Sequence, residues 1–229
     1  MPRVVVSVES REKTEGPMPQ SWTPMRWPSG WRDPSALDLL KGTAIDYLLM
    51  GDDADLAGVR KRAMADGLAA SAAAPPGVEL VTGTWPGVKM GRGGAASAGP
   101  TGNPWVDSNG WAVRLALALH PEAAVWVDAP PAAGAWITAD ACRLAIADAA
   151  AYAGRWIVSL DNSLATTLAA GDSNALATWK KLAAATGFFA ARRRRRPSSP
   201  SARFLTRTRT RQRPRCGNGS SNSWRRAGC

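Results

Sequence analysis

Two short apolar runs, each ending in an aspartate, constrain the fold of this chain more than any other feature. Ala124–Asp128 reads AVWVD, and residues 156–161 read WIVSLD. Strands that are apolar at consecutive positions are buried on both faces, as in parallel sheets covered by helices. Asp128 and Asp161 are 33 positions apart in the sequence, a spacing that fits one strand-helix-strand unit. We therefore expect an α/β fold built on parallel strands.

The same strand-then-helix order recurs through most of the chain. Apolar runs at 44–50 and Val78–Thr82 predict two earlier strands. Asp33 can cap a helix that starts at Pro34 and exits through Gly42. Further helices are predicted at 53–67 and at 103–120, where the apolar content predicts that the helix is well buried. Helices are also predicted at 138–154, with Thr138 as cap, and from Ser163 and Ser173 to near Gly187.

Four such units predict part of a (β/α) barrel. Long loops after the strands favour an eight-fold barrel, in which the chemistry lies at the C-terminal ends of the strands. A small parallel sheet flanked by helices is the alternative. Either sheet would have two end strands with unpaired backbone groups, so we expect self-association through the open sheet edges.

The charge of the chain changes sharply near its end. Residues 191–229 contain 13 arginines and no lysine, aspartate or glutamate, whereas the whole chain carries +11. The preceding 190 residues therefore carry about −2. We expect a disordered N-terminal extension at 1–24, an incomplete barrel-like domain at 25–190 and a disordered basic tail at 191–229.

Three interpretations of the basic tail are open. It can be an arm that binds polyanions such as RNA or DNA without sequence preference. It can be a solvated tail, or it can be an out-of-frame terminus of a truncated chain. We favour the third, because alanine codons read one base out of register become arginine or proline codons, and isoleucine and valine disappear after residue 190.

Several functional classes have no signal in the sequence. No apolar run approaches the length of a membrane span or of a signal-peptide core, which predicts a cytoplasmic protein without membrane contact. His120 is the single histidine and the three cysteines lack ligand spacing, so no metal is expected. Residues 91–99 lack the glycine spacing of a dinucleotide loop and the lysine of a phosphate loop, so no cofactor is expected.

Asp128 and Asp161 are the candidate catalytic residues. Each lies at the C-terminal end of a predicted parallel strand, where the active sites of such barrels are found. Two carboxylates on neighbouring strand ends can divide the roles of general acid and of nucleophile or base, as in glycoside hydrolysis. Either aspartate can instead cap the helix that follows it.

Tryptophans in predicted loops suggest a surface for sugars, because a flat indole with an N–H at its edge suits a ligand with apolar faces and a hydroxylated rim. The candidate substrate-binding residues are Trp85, Arg92, Trp105, Asp107, Asn109 and Trp111. Packing in the core is the alternative for the loop tryptophans, which also include Trp22, Trp27 and Trp31. Packing is the expectation for Trp126, Trp136, Trp156 and Trp179.

Four segments carry a resemblance to a known family: MRWPSGWRDPSALDLLKGTAIDYLL, TWPGVKM, AGPTGNPWVDSNGW and AVWVDAPP. Over residues 25–190 the chain resembles a largely uncharacterised bacterial family with glycoside-hydrolase-type barrels. The resemblance implies a carbohydrate ligand. It also implies that later strands are missing here, and in many such enzymes one of them carries a catalytic carboxylate.

The sequence thus predicts a carbohydrate-active, glycoside-hydrolase-like barrel fragment. Whether the fragment catalyses a reaction is left open, because truncation can remove part of the site. The alternative function is non-specific nucleic-acid binding through the arginine-rich tail.

Overall fold

The computed structural model describes residues 21–90, 95–98 and 107–194, in which strands and helices alternate as expected for an α/β fold. The strands are β1 (Pro24–Arg26), β2 (Tyr47–Leu49), β3 (Ala69–Ser71), β4 (Val78–Thr82), β5 (Val88–Met90), β6 (Ala95–Ala98), β7 (Ala124–Asp128), β8 (Trp136–Ile137) and β9 (Arg155–Trp156). The α-helices are α1 (Ala57–Ala65), α2 (Gly110–Leu119), α3 (Ala139–Ala151), α4 (Asn162–Ala169) and α5 (Ser173–Arg194). Two 3-10 helices, Pro34–Leu40 and Ala54–Leu56, follow β1 and β2.

Two parallel three-stranded sheets, β1-β2-β3 and β4-β7-β9, form the centre of the fold. A parallel bridge between Met25 and Val158 connects them. The N–H of Arg26 donates to the carbonyl of Val158 at 2.8 Å, and the N–H of Val158 donates to the carbonyl of Pro24 at 3.0 Å. The first strand of the chain therefore lies beside the segment that follows β9, and the strand order is β3-β2-β1-β9-β7-β4.

The expected α/β architecture, with small parallel sheets flanked by helices, is present. The order ends at β3 and β4, so among the described residues the strands do not close into a barrel. A third sheet, β5-β6-β8, contains the antiparallel pair β5 and β6, and β8 is parallel to β6. Its strands belong to the connections that follow β4 and β7.

The central sheet is curled, so that side chains from separated strands meet on its inner face. The rings of Tyr47 in β2 and Trp126 in β7 have centroids 5.0 Å apart, although β1 and β9 lie between their strands. Leu49 and Ile157 complete this buried inner cluster. The outer face joins the helices in a larger core that includes Met25, Leu48, Val125, Val127 and Val158.

Two predicted helix starts are confirmed by their capping bonds. The carboxylate of Asp33 accepts the N–H of Ser35 at 2.8 Å, and the hydroxyl of Thr138 accepts the N–H of Ala141 at 3.2 Å. Gly42 has a φ of 74°, which is the left-handed exit predicted for the first helical segment. That segment is a 3-10 helix.

The central sheet has more strands than the four predicted units. Strands β1 and β3 have no counterpart among the predicted strands, whereas the runs at Val78–Thr82 and Ala124–Asp128 are strands with the predicted bounds. The strand predicted at 156–161 is shorter, because the ladder ends near Val158 and Asp161 already caps α4.

The prediction that the helix in 103–120 is well buried is wrong for one face. Trp111 is 65% exposed, and Leu115 and Leu119 are exposed as well. Side chains four residues apart lie on the same face of a helix, so these three form one exposed apolar stripe on α2. Ala112, Val113 and Ala116 supply the buried face.

Helix α5 continues past its predicted end near Gly187 and reaches Arg194. Its first turn is capped by Asp172, whose carboxylate accepts the N–H of Ala175 at 2.8 Å, and not by Ser173. Near its other end, the guanidinium of Arg192 lies 4.4 Å from the ring centre of Phe188. Neither α5 nor any other helix in the described residues combines the length and apolar character of a membrane span.

We predict that Gly110→Ala destabilises the fold. A methyl group at this position would lie 2.4 Å from the ring of Tyr152, so the ring or the start of α2 must move. Overpacking of this kind costs about 1–3 kcal/mol. The free energy of unfolding from urea titration followed by circular dichroism measures the loss.

The matched control for this substitution is Gly187→Ala in α5. A methyl group there meets no atom within 4 Å, so the gain in helix propensity should stabilise the protein by about 0.5–1 kcal/mol. Equal stability of Gly110→Ala and the original chain would contradict the close contact between Gly110 and the ring of Tyr152.

Candidate functional site

An ion pair lies where two parallel strands end. Arg26 is the last residue of β1 and Asp128 is the last residue of β7, and one guanidinium nitrogen of Arg26 lies 2.7 Å from Oδ2 of Asp128. Strand β9 separates β1 from β7 in the strand order, so the two side chains reach across it. The pair therefore lies at the C-terminal rim of the sheet, where the sequence predicts the site.

Both members of the pair retain bonding capacity. Nε of Arg26 and Oδ1 of Asp128 are buried and have no hydrogen-bond partner. Nε1 of Trp126, two residues before Asp128 in β7, is buried in the same way. Alternate residues of a strand point to the same face, so Trp126 and Asp128 share the inner face. Buried polar atoms without a partner are rare in folded proteins, so the three atoms call for an explanation such as a bound water or a role in the chemistry of the rim.

Access to the pair comes from the rim. The Asp128 side chain is 19% exposed and the Arg26 side chain is 41% exposed. Asp128 does not cap a helix, because its side-chain bond goes to Arg26 and not to backbone N–H groups. The structure therefore does not show the helix-capping alternative for Asp128, and its catalytic role stays a prediction.

Asp161 has a different environment. It is only 3% exposed, and both of its carboxylate oxygens accept backbone N–H groups. Oδ1 accepts the N–H of Leu164 at 2.9 Å and caps α4, while Oδ2 accepts the N–H of Ile137 at 3.1 Å and ties β8 to that helix. These bonds match the helix-capping alternative for Asp161. Its catalytic role stays a prediction.

Asn109 fixes the loop that follows β4. Its side-chain oxygen accepts the N–H of Thr84 at 2.8 Å, and its side-chain nitrogen donates to the carbonyl of Thr84 at 2.9 Å and to Asp148 at 3.0 Å. Asp148 also accepts the hydroxyl of Ser108 at 2.6 Å and the N–H of Asn109 at 2.8 Å. Asn109 is buried and bonded on both sides, so it positions the rim rather than presenting a free amide.

Trp85 is held beside this anchored loop. Its ring lies 4.9 Å from that of Trp156 in an edge-to-face arrangement, and the side chain is half-buried against the core. The loop lies so close to β7 that a methyl group on Gly83 would be 2.4 Å from Val127. Gly83 also donates its N–H to the carbonyl of Asp128 at 2.8 Å. Trp85 and Asp128 therefore belong to one rigid part of the rim.

Two other predicted binding residues belong to the start of α2. Trp111 lies on the exposed stripe of that helix, and Asp107 is half-buried shortly before it. Arg92 and Trp105 lie outside the residues that the structure describes. Among the described members of the predicted set, Trp85 is therefore the one in the loop bonded to Asp128.

Other tryptophans differ from the expectation in whether they lie in the core or on the surface. Trp27 and Trp31 pack edge to face in the core, and their indole N–H groups donate to the carbonyls of Trp31 and Ala165. They are core residues. Trp136, expected to be packed, is 53% exposed, so that expectation is wrong. Trp136 lies in the connection after β7. Exposed aromatic side chains in such connections are typical of binding surfaces, so this position could have indicated a binding role for Trp136 from the sequence.

Cys142 is a buried free cysteine in α3. Burial, with a smaller effect from the charge of Asp161, raises the pKa of the Cys142 thiol to about 12. A thiol with this pKa stays protonated at neutral pH, so Cys142 is not a nucleophile in the folded protein. Among the described residues there is no cluster of three or more histidine, cysteine, aspartate or glutamate side chains that could hold a metal ion.

Comparisons with protein-family models, with curated proteins and with solved structures found no match to this chain. The resemblance to glycoside-hydrolase-type barrels therefore stays a prediction. The chemistry of the rim has to be argued from the side chains that form it.

We predict that the two aspartates differ in their effect on stability. Asp161→Ala removes the cap of α4 and leaves the buried N–H of Ile137 without an acceptor, which should lower the free energy of unfolding by about 2–3 kcal/mol. Asp128→Asn should lower it by at most about 1 kcal/mol, because the ion pair that it weakens is partly exposed. Urea titrations of both variants give the two values.

Asp161→Asn is the control for the capping argument. Its amide oxygen can still accept one of the two N–H groups, so its stability should lie between those of the original chain and Asp161→Ala. Equal losses for Asp128→Asn and Asp161→Ala would contradict the division between a capping and a rim aspartate.

Proposed function

We propose that this chain is a carbohydrate-active protein whose site lies at the C-terminal rim around Arg26 and Asp128. The ion pair of these residues supports the proposal, because both side chains are partly exposed at the rim and combine a carboxylate that accepts hydrogen bonds with a guanidinium that donates them. A sugar presents both hydroxyl donors and hydroxyl acceptors, so its hydroxyl groups can bond to both members of the pair.

Asp128 is the group that acts on the glycosidic bond in this proposal. Hydrolysis of that bond needs a carboxyl group that transfers a proton or stabilises the positive charge that develops on the sugar ring. Asp128 is partly exposed and ends a strand that is buried along most of its length, so its position is fixed. Arg26 orients its carboxylate through the 2.7 Å bond.

Trp85 supplies an apolar surface in the loop that follows β4, and a backbone bond from Gly83 to Asp128 joins this loop to the end of β7. Asn109 fixes the loop before Trp85, and Trp156 supports the ring from one side. An indole held in this way can stack on a sugar ring without losing much conformational freedom on binding. The role proposed for Asn109 is therefore to position this loop.

We predict that Asp128→Asn abolishes hydrolysis while sugar binding is retained. The amide keeps the size and one acceptor of the carboxylate but cannot exchange a proton, so the rate should fall by about 100-fold or more. Release of reducing ends from a panel of β-1,4-linked and α-1,4-linked glucans, xylans and mannans measures the rate.

Asp66→Asn, which changes an aspartate in an ion pair with Arg62 just after α1, is the matched control and should leave the rate unchanged. Unchanged hydrolysis by Asp128→Asn would remove Asp128 from the mechanism. Absence of hydrolysis by the original chain on every glycan of the panel would contradict the catalytic part of the proposal.

A second candidate function rests on the arginines of residues 191–229, which suit the phosphates of RNA or DNA. Deletion of residues 195–229 keeps all of α5 and removes 10 of the 13 arginines. We predict that the deletion weakens binding to a single-stranded RNA by at least about tenfold at low salt, and that it flattens the salt dependence. Fluorescence anisotropy at several salt concentrations measures both, and equal binding with and without the segment would contradict this function.

A further inference from the structure

A groove opens where the first turns of three helices meet. It has a volume of about 370 Å³ and lies between the start of α3, the first two turns of α4 and the start of α5. Its walls combine apolar and polar side chains. Among them are Trp136, Thr138, Ser163, Thr167, Asp172 and Asn174.

Trp136 presents an exposed indole at this groove from a fixed base. The side chain is 53% exposed, whereas the next residue, Ile137, is buried and donates its N–H to Asp161. One residue further on, Thr138 caps α3. The backbone on the C-terminal side of Trp136 is thus tied to two helices. An exposed indole on an anchored backbone can serve as a stacking surface for a ligand.

Hydroxyl and amide groups face the same groove from α4 and α5. The hydroxyl of Thr167 donates to the carbonyl of Ser163 within α4, so its oxygen remains an acceptor on the groove side of the helix. Ser163 and Asn174 are exposed and offer both donors and acceptors. Polar groups of both kinds beside an indole match the hydroxylated rim and apolar face of a sugar ring.

The charges around the groove exclude an anionic ligand. Starts of helices attract anions, but here two of the three starts are already capped by carboxylates, Asp161 at α4 and Asp172 at α5. A phosphate or a nucleic-acid backbone in the groove would be repelled by these aspartates. A neutral ligand would not.

We infer that this groove is a binding subsite for a neutral carbohydrate, with Trp136 as its stacking platform. The inference rests on the proposed function, because α3 and α4 follow β7 and β9 and therefore start at the same C-terminal rim as Asp128. It adds a subsite that holds a sugar unit away from the bond on which Asp128 acts. A glycan that occupies both places has to be an oligosaccharide.

The test uses the full chain and isothermal titration calorimetry. The probes are cellohexaose, xylohexaose, mannohexaose, chitohexaose and maltohexaose, each titrated to about 10 mM so that weak affinities are measured. We expect at least one of them to bind. Trp136→Ala should weaken that binding by about tenfold or more, whereas Trp136→Phe, which keeps a ring, should weaken it less.

Two further variants separate the groove from a general loss of structure. Thr167→Val keeps the shape of the side chain and removes its hydroxyl, and it should weaken binding by about two- to fivefold. Phe188→Ala removes another exposed aromatic side chain from the far part of α5, about 21 Å along the helix from Asn174, and it should bind like the original chain.

The outcomes distinguish this inference from the proposed function. Equal affinity of Trp136→Ala and the original chain would overturn the subsite, and so would the absence of binding by all five probes. If Asp128→Asn hydrolyses glycans normally but Trp136→Ala loses binding, the subsite stands and the catalytic role of Asp128 fails. If Asp128→Asn stops hydrolysis and Trp136→Ala changes nothing, the reverse holds.

Discussion

The two backbone hydrogen bonds between β1 and Val158 hold the architecture together. They place β1 beside the segment that follows β9, and so join the two three-stranded sheets into one curled array. The curl brings Tyr47 against Trp126 on the inner face. It also brings the end of β1 within reach of the end of β7, which is the condition for the bond between Arg26 and Asp128. Without this junction the two charged residues would belong to different sheets.

Sequence patterns predict the strands whose own residues favour a strand, and they miss the strands that form only because they pair with another strand. Val78–Thr82 and Ala124–Asp128 are five residues long and rich in β-branched side chains, and the structure has both as strands. Strand β1 has only three residues, of which one is proline and one is arginine, and β3 consists of two alanines and a serine. These segments are strands because each of them pairs with β2, β1 along one edge of β2 and β3 along the other. Short segments without intrinsic preference cannot reveal such pairing in advance.

The difference between the two aspartates does have a local cause that can be read from the sequence. Asp161 is followed at once by a helix-forming segment, whose third residue, Leu164, offers its N–H to the cap. Asp128 is followed by Ala129, Pro130 and Pro131, and proline has no N–H to offer. A cap at Asp128 is thus chemically excluded. Its partner could not be foreseen, because Arg26 lies 102 residues away and belongs to a strand without a sequence signal.

The open side of the sheet bears on how a ligand would reach the rim. Leu80 lies opposite Trp126 in the pairing of β4 with β7 and therefore shares its inner face, yet Leu80 is 49% exposed whereas Trp126 is fully buried. Exposure on the inner face begins at β4, which is one end of the strand order. In a closed barrel the inner face is reached only through the two ends. Here it is also open along its side, so the proposed site suits a chain-like ligand that lies across the rim better than a small molecule enclosed within the strands.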